Sequence, residues 1–229
     1  MIRFVLVLWG LHLLSFYGTW GFFGLALKQG WWKDKQFDQG KAPGADLYRR
    51  GVIETTLGNA GYPAVMVALW YAWTACGGGF DVELVWWHVP LHLGLFIVIQ
   101  DTLFYWSHRM LHHKKLFRLI HRKHHAWRHV RGLSAQHSHP VETVFNIVAM
   151  WAGPVLLGSA FPIVALWAFL RIIETVYAHS GYALDGVGSR HAFHHLHPTK
   201  GCLGSFWGPW DNLMGTDKAW KRHRAEGNP

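Results

Sequence analysis

The sequence predicts an all-α, polytopic membrane protein: about four transmembrane helices, arranged as three spans plus a helical hairpin, under a histidine-rich cytoplasmic cap. Three observations predict it. Phe4 to Leu27, Thr55 to Ala75 and Thr143 to Phe161 contain no Asp, Glu, Lys or Arg. The 22 Lys and Arg residues, which exceed 13 Asp and Glu to give a net charge of +9, sit mainly between the apolar stretches. Of the 18 histidines, all but His12, His88, His92 and His223 fall between His108 and His197. A hydrophobic content of 51% with a mean hydropathy of +0.07 fits a large soluble domain or a small membrane protein equally well, so the distribution of charge decides.

Phe4 to Leu27 would extend about 36 Å as a helix, enough to cross a hydrocarbon core of about 30 Å with some tilt. It is too long for a signal-peptide core and has no Ala-x-Ala cleavage site, so it is expected as a mature span. Lys28, Lys33, Lys35, Lys41, Arg49 and Arg50 follow, against Asp34, Asp38 and Asp46. The positive-inside rule puts this loop in the cytoplasm and the N-terminus outside. A second span runs from about Val52 to Ala75, where Gly58, Gly61 and Pro63 predict a kink. Cys76 to Glu83 has no basic residue and reads as an external turn. Trp86 and Trp87 mark an interface, and a third span from Val89 to Trp106 returns to the cytoplasm.

The chain from Arg109 to Arg131 is strongly basic and opens the cap. Thr143–Phe161 and Pro162–Tyr177 form a hairpin joined at Gly158 to Pro162. Its second arm carries Arg171 and Glu174, which a membrane tolerates only when paired or exposed. After Tyr177 the chain is polar and histidine-rich again, ending in the basic tail Lys218 to Arg224. Residues 1–229 thus read as a single integral-membrane domain, with the metal-binding cap mainly at 107–142 and 178–217. Cys76 and Cys202 form no CxxC motif and no disulfide framework. No nucleic-acid recognition module accompanies the basic residues, so the charge is assigned to the membrane surface and nucleic acid is excluded as a partner.

The histidines carry the chemistry. Asp101, Tyr105, His108 and His112 follow steps of four, three and four, one stripe of a helix. In that stripe Asp101 can accept the free N–H of a ligating imidazole; an amphipathic helix with interfacial histidines would show the same spacing. His121, His124 and His125 repeat the i, i+3, i+4 spacing of His191, His194 and His195, so on a helix each triplet would face one centre. This many imidazoles exceed the four ligands of a structural zinc site and suit two ions, with Zn, Cu, Fe and Ni all compatible. His88 and His92 precede His108 by at least 16 residues, about 24 Å of helix, and are set aside.

These motifs resemble the fatty acid hydroxylase and sterol desaturase superfamily of membrane non-haem di-iron enzymes. The likeness rests on Asp101, Tyr105-Trp-Ser-His108-Arg-Met-Leu-His112, His121-Arg-Lys-His124-His125 and His191-Ala-Phe-His194-His195. Gly132-Leu-Ser-Ala-Gln-His-Ser-His139-Pro-Val-Glu142, Arg171-Ile-Ile-Glu174-Thr-Val-Tyr-Ala-His179-Ser-Gly-Tyr182 and Trp210-Asp-Asn-Leu-Met-Gly-Thr-Asp217 are similar to the sterol C4-methyl oxidases. Departures fall at Gln136 and His137, at the short link from Tyr182 to Arg190, and at Gly201-Cys-Leu-Gly204. These positions are expected near the substrate mouth.

The resemblance implies two non-haem Fe ions held by His108, His112, His121, His124, His125, His139, His179, His191, His194 and His195. Asp101, Tyr105, Glu142 and Glu174 would orient them. It implies a mono-oxygenase that uses O2 to oxidise a lipid, with a sterol C4-methyl group as the expected target and other lipids (fatty acyl, sphingoid, carotenoid) as the alternative. The chain has no dinucleotide, haem or iron–sulfur motif. Electrons from NAD(P)H would therefore arrive through a separate donor, cytochrome b5 or a ferredoxin with its reductase. The active site would be cytoplasmic, in the endoplasmic reticulum of a eukaryote or the inner membrane of a bacterium. A membrane metal-binding or transport protein with a histidine sink is the non-enzymatic rival.

Overall fold

A computed structural model describes residues 1–37, 41–206 and 208–228; Asp38 of the first basic loop lies outside them. Among the described residues there is no β-strand, only an isolated bridge between Gln36 and Tyr182. Long helices α1 (Ile2–Gln29), α2 (Ala45–Ala75) and α3 (His88–Leu111) are followed by a single turn, α4 (Lys114–Leu116). The hairpin α5 (Pro140–Leu156) and α6 (Phe161–Ala178) comes next, then the cap helices α7 (Gly186–Leu196), α8 (Pro209–Met214) and α9 (Lys218–Ala225).

Three of these helices, α1, α3 and α6, are long and apolar enough to cross a membrane. The expected second span lies inside α2, which begins at Ala45 rather than Val52. At 31 residues it exceeds the length needed, but Asn59 and three glycines dilute its apolar character. The first hairpin arm is apolar but only 17 residues long. Ile2, Leu57, Val98 and Leu156 are each more than 60% exposed, as residues facing lipid would be.

The membrane helices form a bundle in which α3 packs chiefly on α5 and α1 on α6. Gly153 allows the closest approach of α3, because a Cβ there would sit 3.1 Å from the Cα of Phe96. At Gly158, in the hairpin turn with φ of +50°, a Cβ would meet the Cys76 carbonyl at 2.3 Å. One apolar core, including Phe4, Leu8, Met66, Trp73 and Phe161, fills the end of the bundle away from the cap.

Two prolines lie inside helices without breaking them. Pro63 removes the donor that would serve the Asn59 carbonyl, and Pro154 does the same for Met150. Each freed carbonyl accepts an indole N–H from another helix: Trp9 to Asn59 at 3.0 Å and Trp167 to Met150 at 2.8 Å. In lipid, where water cannot substitute, such partners are what make an interior proline tolerable.

Candidate metal centre

The cap turns four chain segments toward one place. His108 is buried at the end of α3, and His112 closes that helix. The following turn is π-helical from Phe117 to His121, and a short 3-10 turn carries His124 and His125. His179 ends α6. Helix α7 starts at Asp185, whose carboxylate accepts the N–H groups of Val187 and Gly188 at 2.8 and 3.1 Å, and it presents His191, His194 and His195.

These nine histidines form two groups, each with one ring nitrogen per residue within 4.8 Å of all the others: His108, His112, His121, His125 and His194; and His124, His179, His191 and His195. The groups adjoin, with the His125 and His195 rings 4.8 Å apart. Outward-facing nitrogens are anchored. His108 Nδ1 donates to the Leu203 carbonyl at 2.7 Å, His194 Nδ1 to Gly201 at 2.8 Å, His195 Nδ1 to Trp127 at 2.9 Å, His179 Nδ1 to Thr175 at 2.7 Å and His124 Nδ1 to His137 at 3.3 Å. A carbonyl only accepts, so each of these rings carries its proton on Nδ1 and turns a bare Nε2 inward.

The inward nitrogens crowd one another. Nε2 atoms stand 3.0 Å apart for His108 and His121, 3.1 Å for His124 and His195, 3.4 Å for His124 and His179, and 2.8 Å for His179 and His191. His194 Nε2 and His112 Nε2 are buried with no hydrogen-bond partner. Facing lone pairs repel. A cation with bonds of roughly 2.0–2.1 Å removes that repulsion, and two nitrogens at right angles on it stand about 3 Å apart. The donor set therefore fits two metal ions held side by side.

The triplets do not each face one centre, as the i, i+3, i+4 spacing predicts. His121 and His125 enter the five-membered group while His124 enters the four-membered one, and α7 divides as His194 against His191 and His195. The first triplet lies on a π turn and a 3-10 turn rather than an α-helix, so its side chains fan out. In α7, His191 and His195 stack one turn apart while His194 points to the neighbouring group.

The orienting residues are also redistributed. Asp101 is buried but does not receive an imidazole N–H; it lies seven residues, about 10 Å of helix, from His108, and its Oδ1 accepts the Ser205 N–H at 3.0 Å. The carboxylate beside an imidazole is Glu142, whose Oε2 lies 2.9 Å from His121 Nδ1, an ion-pair separation. Tyr105 takes a hydrogen bond from Arg109 at 2.9 Å and faces Thr216 Oγ1 at 3.3 Å. Glu174 pairs with Arg171. His139 joins neither group: its Nδ1 accepts the Val141 N–H at 3.2 Å and caps α5.

Burial keeps the imidazoles neutral, which metal binding requires. It lowers His112 to about 2, with repulsion from His108 and His124 adding to it. It takes His124 down to about 4 and His179 to about 3, the latter helped by His124. His121, His125, His191, His194 and His195 are likewise held well below the ordinary imidazole value, first by burial and then by one another.

A cavity of about 520 Å³ opens onto both groups and runs between α2, α3, α5 and α6. His108 and His121 reach it from one group, and His124, His179 and His191 from the other. Its walls are mostly apolar, with Leu57, Val65, Phe104, Ile147, Met150 and Ile172 among them. That size and character suit a small hydrophobic molecule.

The fatty acid hydroxylase family profile matches residues 93–216, more than half of the chain and all nine grouped histidines. The chain belongs to the fatty acid hydroxylase family. It is 36% identical over 157 residues to human fatty acid hydroxylase domain-containing protein 2, covering 62% of this chain and 46% of that protein. It is 36% identical over 174 residues to a very-long-chain aldehyde decarbonylase of Oryza sativa subsp. indica, covering 70% and 65%. To methylsterol monooxygenase 2-2 of Arabidopsis thaliana it is 35% identical over 149 residues, covering 60% and 56%. The chain thus spans less than two thirds of the length of each of these relatives. No solved structure matches it.

Within this fatty acid hydroxylase chain, several supporting residues escape sequence reasoning because they act through the backbone. Buried Asp211 accepts the N–H groups of Leu203 and Gly204, both at 2.8 Å, and the Thr216 hydroxyl at 2.6 Å. It thereby fixes the loop whose Gly201 and Leu203 carbonyls hold His194 and His108. The departure at Gly201–Gly204 is therefore part of the histidine scaffold as well as of the cavity wall. Gln136 also lines the cavity and bonds Asn59 Oδ1 at 3.1 Å, beside His12 Nε2 at 3.1 Å. His137, whose carbonyl holds His124, has its Nδ1 2.9 Å from Glu54 Oε2, which also pairs with Lys123. His88 and His92 stack on each other away from the site, and His92 Nδ1 lies 2.8 Å from Ser159 Oγ.

Proposed function

We propose that this chain is a membrane di-iron mono-oxygenase that hydroxylates an unactivated C–H bond of a lipid, with the C4-methyl group of a sterol as the first substrate to test. The observation that carries the reading is the pairing of two adjoining histidine groups with an apolar cavity that opens onto both. Two iron ions, when bound, supply the O2 activation and the C–H oxidation. In balance, one oxygen atom enters the C–H bond and the other leaves as water with two protons and two electrons.

The chain's own residues do the rest. Carbonyls of Leu203, Gly201, Trp127, Thr175 and His137 fix ring orientation, and Glu142 strengthens His121 as a donor. Apolar walls orient the lipid and keep water from the reacting carbon. Leu57 lines the cavity and is exposed on α2, which gives lipid a lateral way in. Single-domain organisation over residues 1–229, with the cap on the cytoplasmic side, belongs to the same proposal. The membrane would be the endoplasmic reticulum of a eukaryote or the inner membrane of a bacterium.

Electrons would come from NAD(P)H through cytochrome b5, or through a ferredoxin with its reductase. Exposed Lys114, Lys115, Arg118 and Arg122 offer an acidic donor a basic docking face. Rates of electron transfer that ignore ionic strength would remove that part of the proposal.

The test is anaerobic purification with metal quantification, followed by reconstituted turnover of 4-methyl sterols under isotopically labelled dioxygen. About two tightly held irons per chain and label in the product are expected. Exchangeable zinc with no oxygen consumption would instead support the metal-sink rival.

A further inference from the structure

The cavity has a floor as well as a histidine roof. Phe96 of α3 and Trp167 of α6 pack edge to face with ring centroids 5.5 Å apart, and Gly153 of α5 closes against Phe96. One turn nearer the cap, Gln100 on α3 and Arg171 on α6 are the first residues of their helices to line the cavity. From that level each helix runs eight residues to its imidazole, Gln100 to His108 and Arg171 to His179.

Gln100 is 1% exposed, and neither its Oε1 nor its Nε2 has a hydrogen-bond partner among the described residues. A buried primary amide with both ends unmet is costly, and a ligand group that both donates and accepts would satisfy it. Arg171 has an unpartnered buried Nε, while its guanidinium is paired with Glu174, so the floor is polar but formally neutral. A hydroxyl matches this floor. A carboxylate would bring an uncompensated charge.

We propose that Gln100, with Arg171 beside it, binds the hydroxyl end of a lipid alcohol, whose oxidised carbon lies roughly 12 Å away beneath the histidines. The inference rests on the reading that this cavity receives the lipid to be oxidised, but it does not require a sterol. In a 4-methyl sterol the hydroxyl adjoins the reacting methyl, so a plain sterol would leave Gln100 unmet. The floor therefore favours a lipid whose hydroxyl and oxidised carbon stand at opposite ends.

The test is equilibrium binding of hexadecanol, its methyl ether, hexadecane and palmitate to the metal-loaded full chain in nanodiscs. Hexadecanol is expected to bind about tenfold more tightly than hexadecane, with the ether between them and palmitate weaker than the alcohol. Gln100→Met, with metal content and Tm checked, should erase the alcohol preference, and hexadecane should bind at least as tightly as to the wild-type chain. Equal binding of alcohol and hydrocarbon by the wild-type chain, tighter binding of palmitate, or an alcohol preference that survives in Gln100→Met would overturn the proposal. Binding is read without turnover, so the two readings fail separately. Alcohol selectivity with no oxygen incorporated into any lipid removes the oxygenase reading, and incorporation without selectivity removes this one.

Discussion

The two histidine groups adjoin one another, yet they are supported differently. The five-membered group, His108, His112, His121, His125 and His194, has a carboxylate at its back, Glu142 beside His121, and two carbonyls from the Gly201–Gly204 loop. The four-membered group, His124, His179, His191 and His195, is backed by carbonyls alone, from His137, Thr175 and Trp127. The first draws on a loop held by one buried side chain, Asp211; the second draws on turns and helix ends formed locally. One group is thus backed by a carboxyl and by a distant loop, while the other is backed by backbone.

The comparison breaks most sharply at the imidazoles themselves. His194→Ala and His195→Ala should each lose about one of two metal ions, read by elemental analysis of purified protein, and lower turnover by at least about a hundredfold. Simultaneous loss of both ions from either variant would mean that the groups act as one site. Next in size is Glu142→Gln, expected to weaken metal binding about ten- to a hundredfold at the five-membered group, with the other group unchanged in a competitive chelator titration. Asp211→Asn should be milder. Losing charge-assisted bonds to the Leu203 and Gly204 N–H groups costs about 1–3 kcal/mol, and the resulting Tm decrease should come with weaker binding at the five-membered group only.

Acid should affect both groups in the metal-free protein. Burial holds His124 near 4, His179 near 3 and His112 near 2, below the ordinary value of about 6.5. The unfolded chain then binds protons that the folded cap refuses, so stability falls as pH drops below 6.5 and continues to fall toward 4. Thermal unfolding of metal-free protein across that range should show the decline, and metal loading should flatten it until the ions are released. A Tm independent of pH between 7 and 4 would contradict the buried, neutral state of the rings.

Much of this was legible in sequence, for physical reasons. Charge-free stretches at helical length mark α1, the apolar part of α2 and the first hairpin arm, because burial in lipid tolerates little else. Eight of the nine grouped histidines were legible because packing alone does not call for imidazoles clustered at spacings of three and four; solitary His179 was marked only by the family resemblance. What spacing could not convey was the partition between groups: the first triplet lies on a π turn and a 3-10 turn, and even in α-helical α7 residues i+3 and i+4 point about 100° apart. Asp101 was misplaced for a related reason: sharing a stripe with His108 does not shorten the distance along it. His139 looked like a ligand by motif alone, but it precedes Pro140 and caps the helix that Pro140 begins. Asp211 stood out only as part of the Trp210–Asp217 motif, and nothing in that motif says that it fixes the loop whose Gly201 and Leu203 carbonyls hold the histidines.

The interleaving of the two triplets bears on biosynthesis. The segment 121–125 and helix α7 each contribute to both groups, and residues 126–185, including the whole hairpin, separate them. While α5 and α6 are being made, only His108, His112, His121, His124 and His125 of the nine have been synthesised, so neither donor set is complete. Each donor set is therefore completed only after α6 has been made.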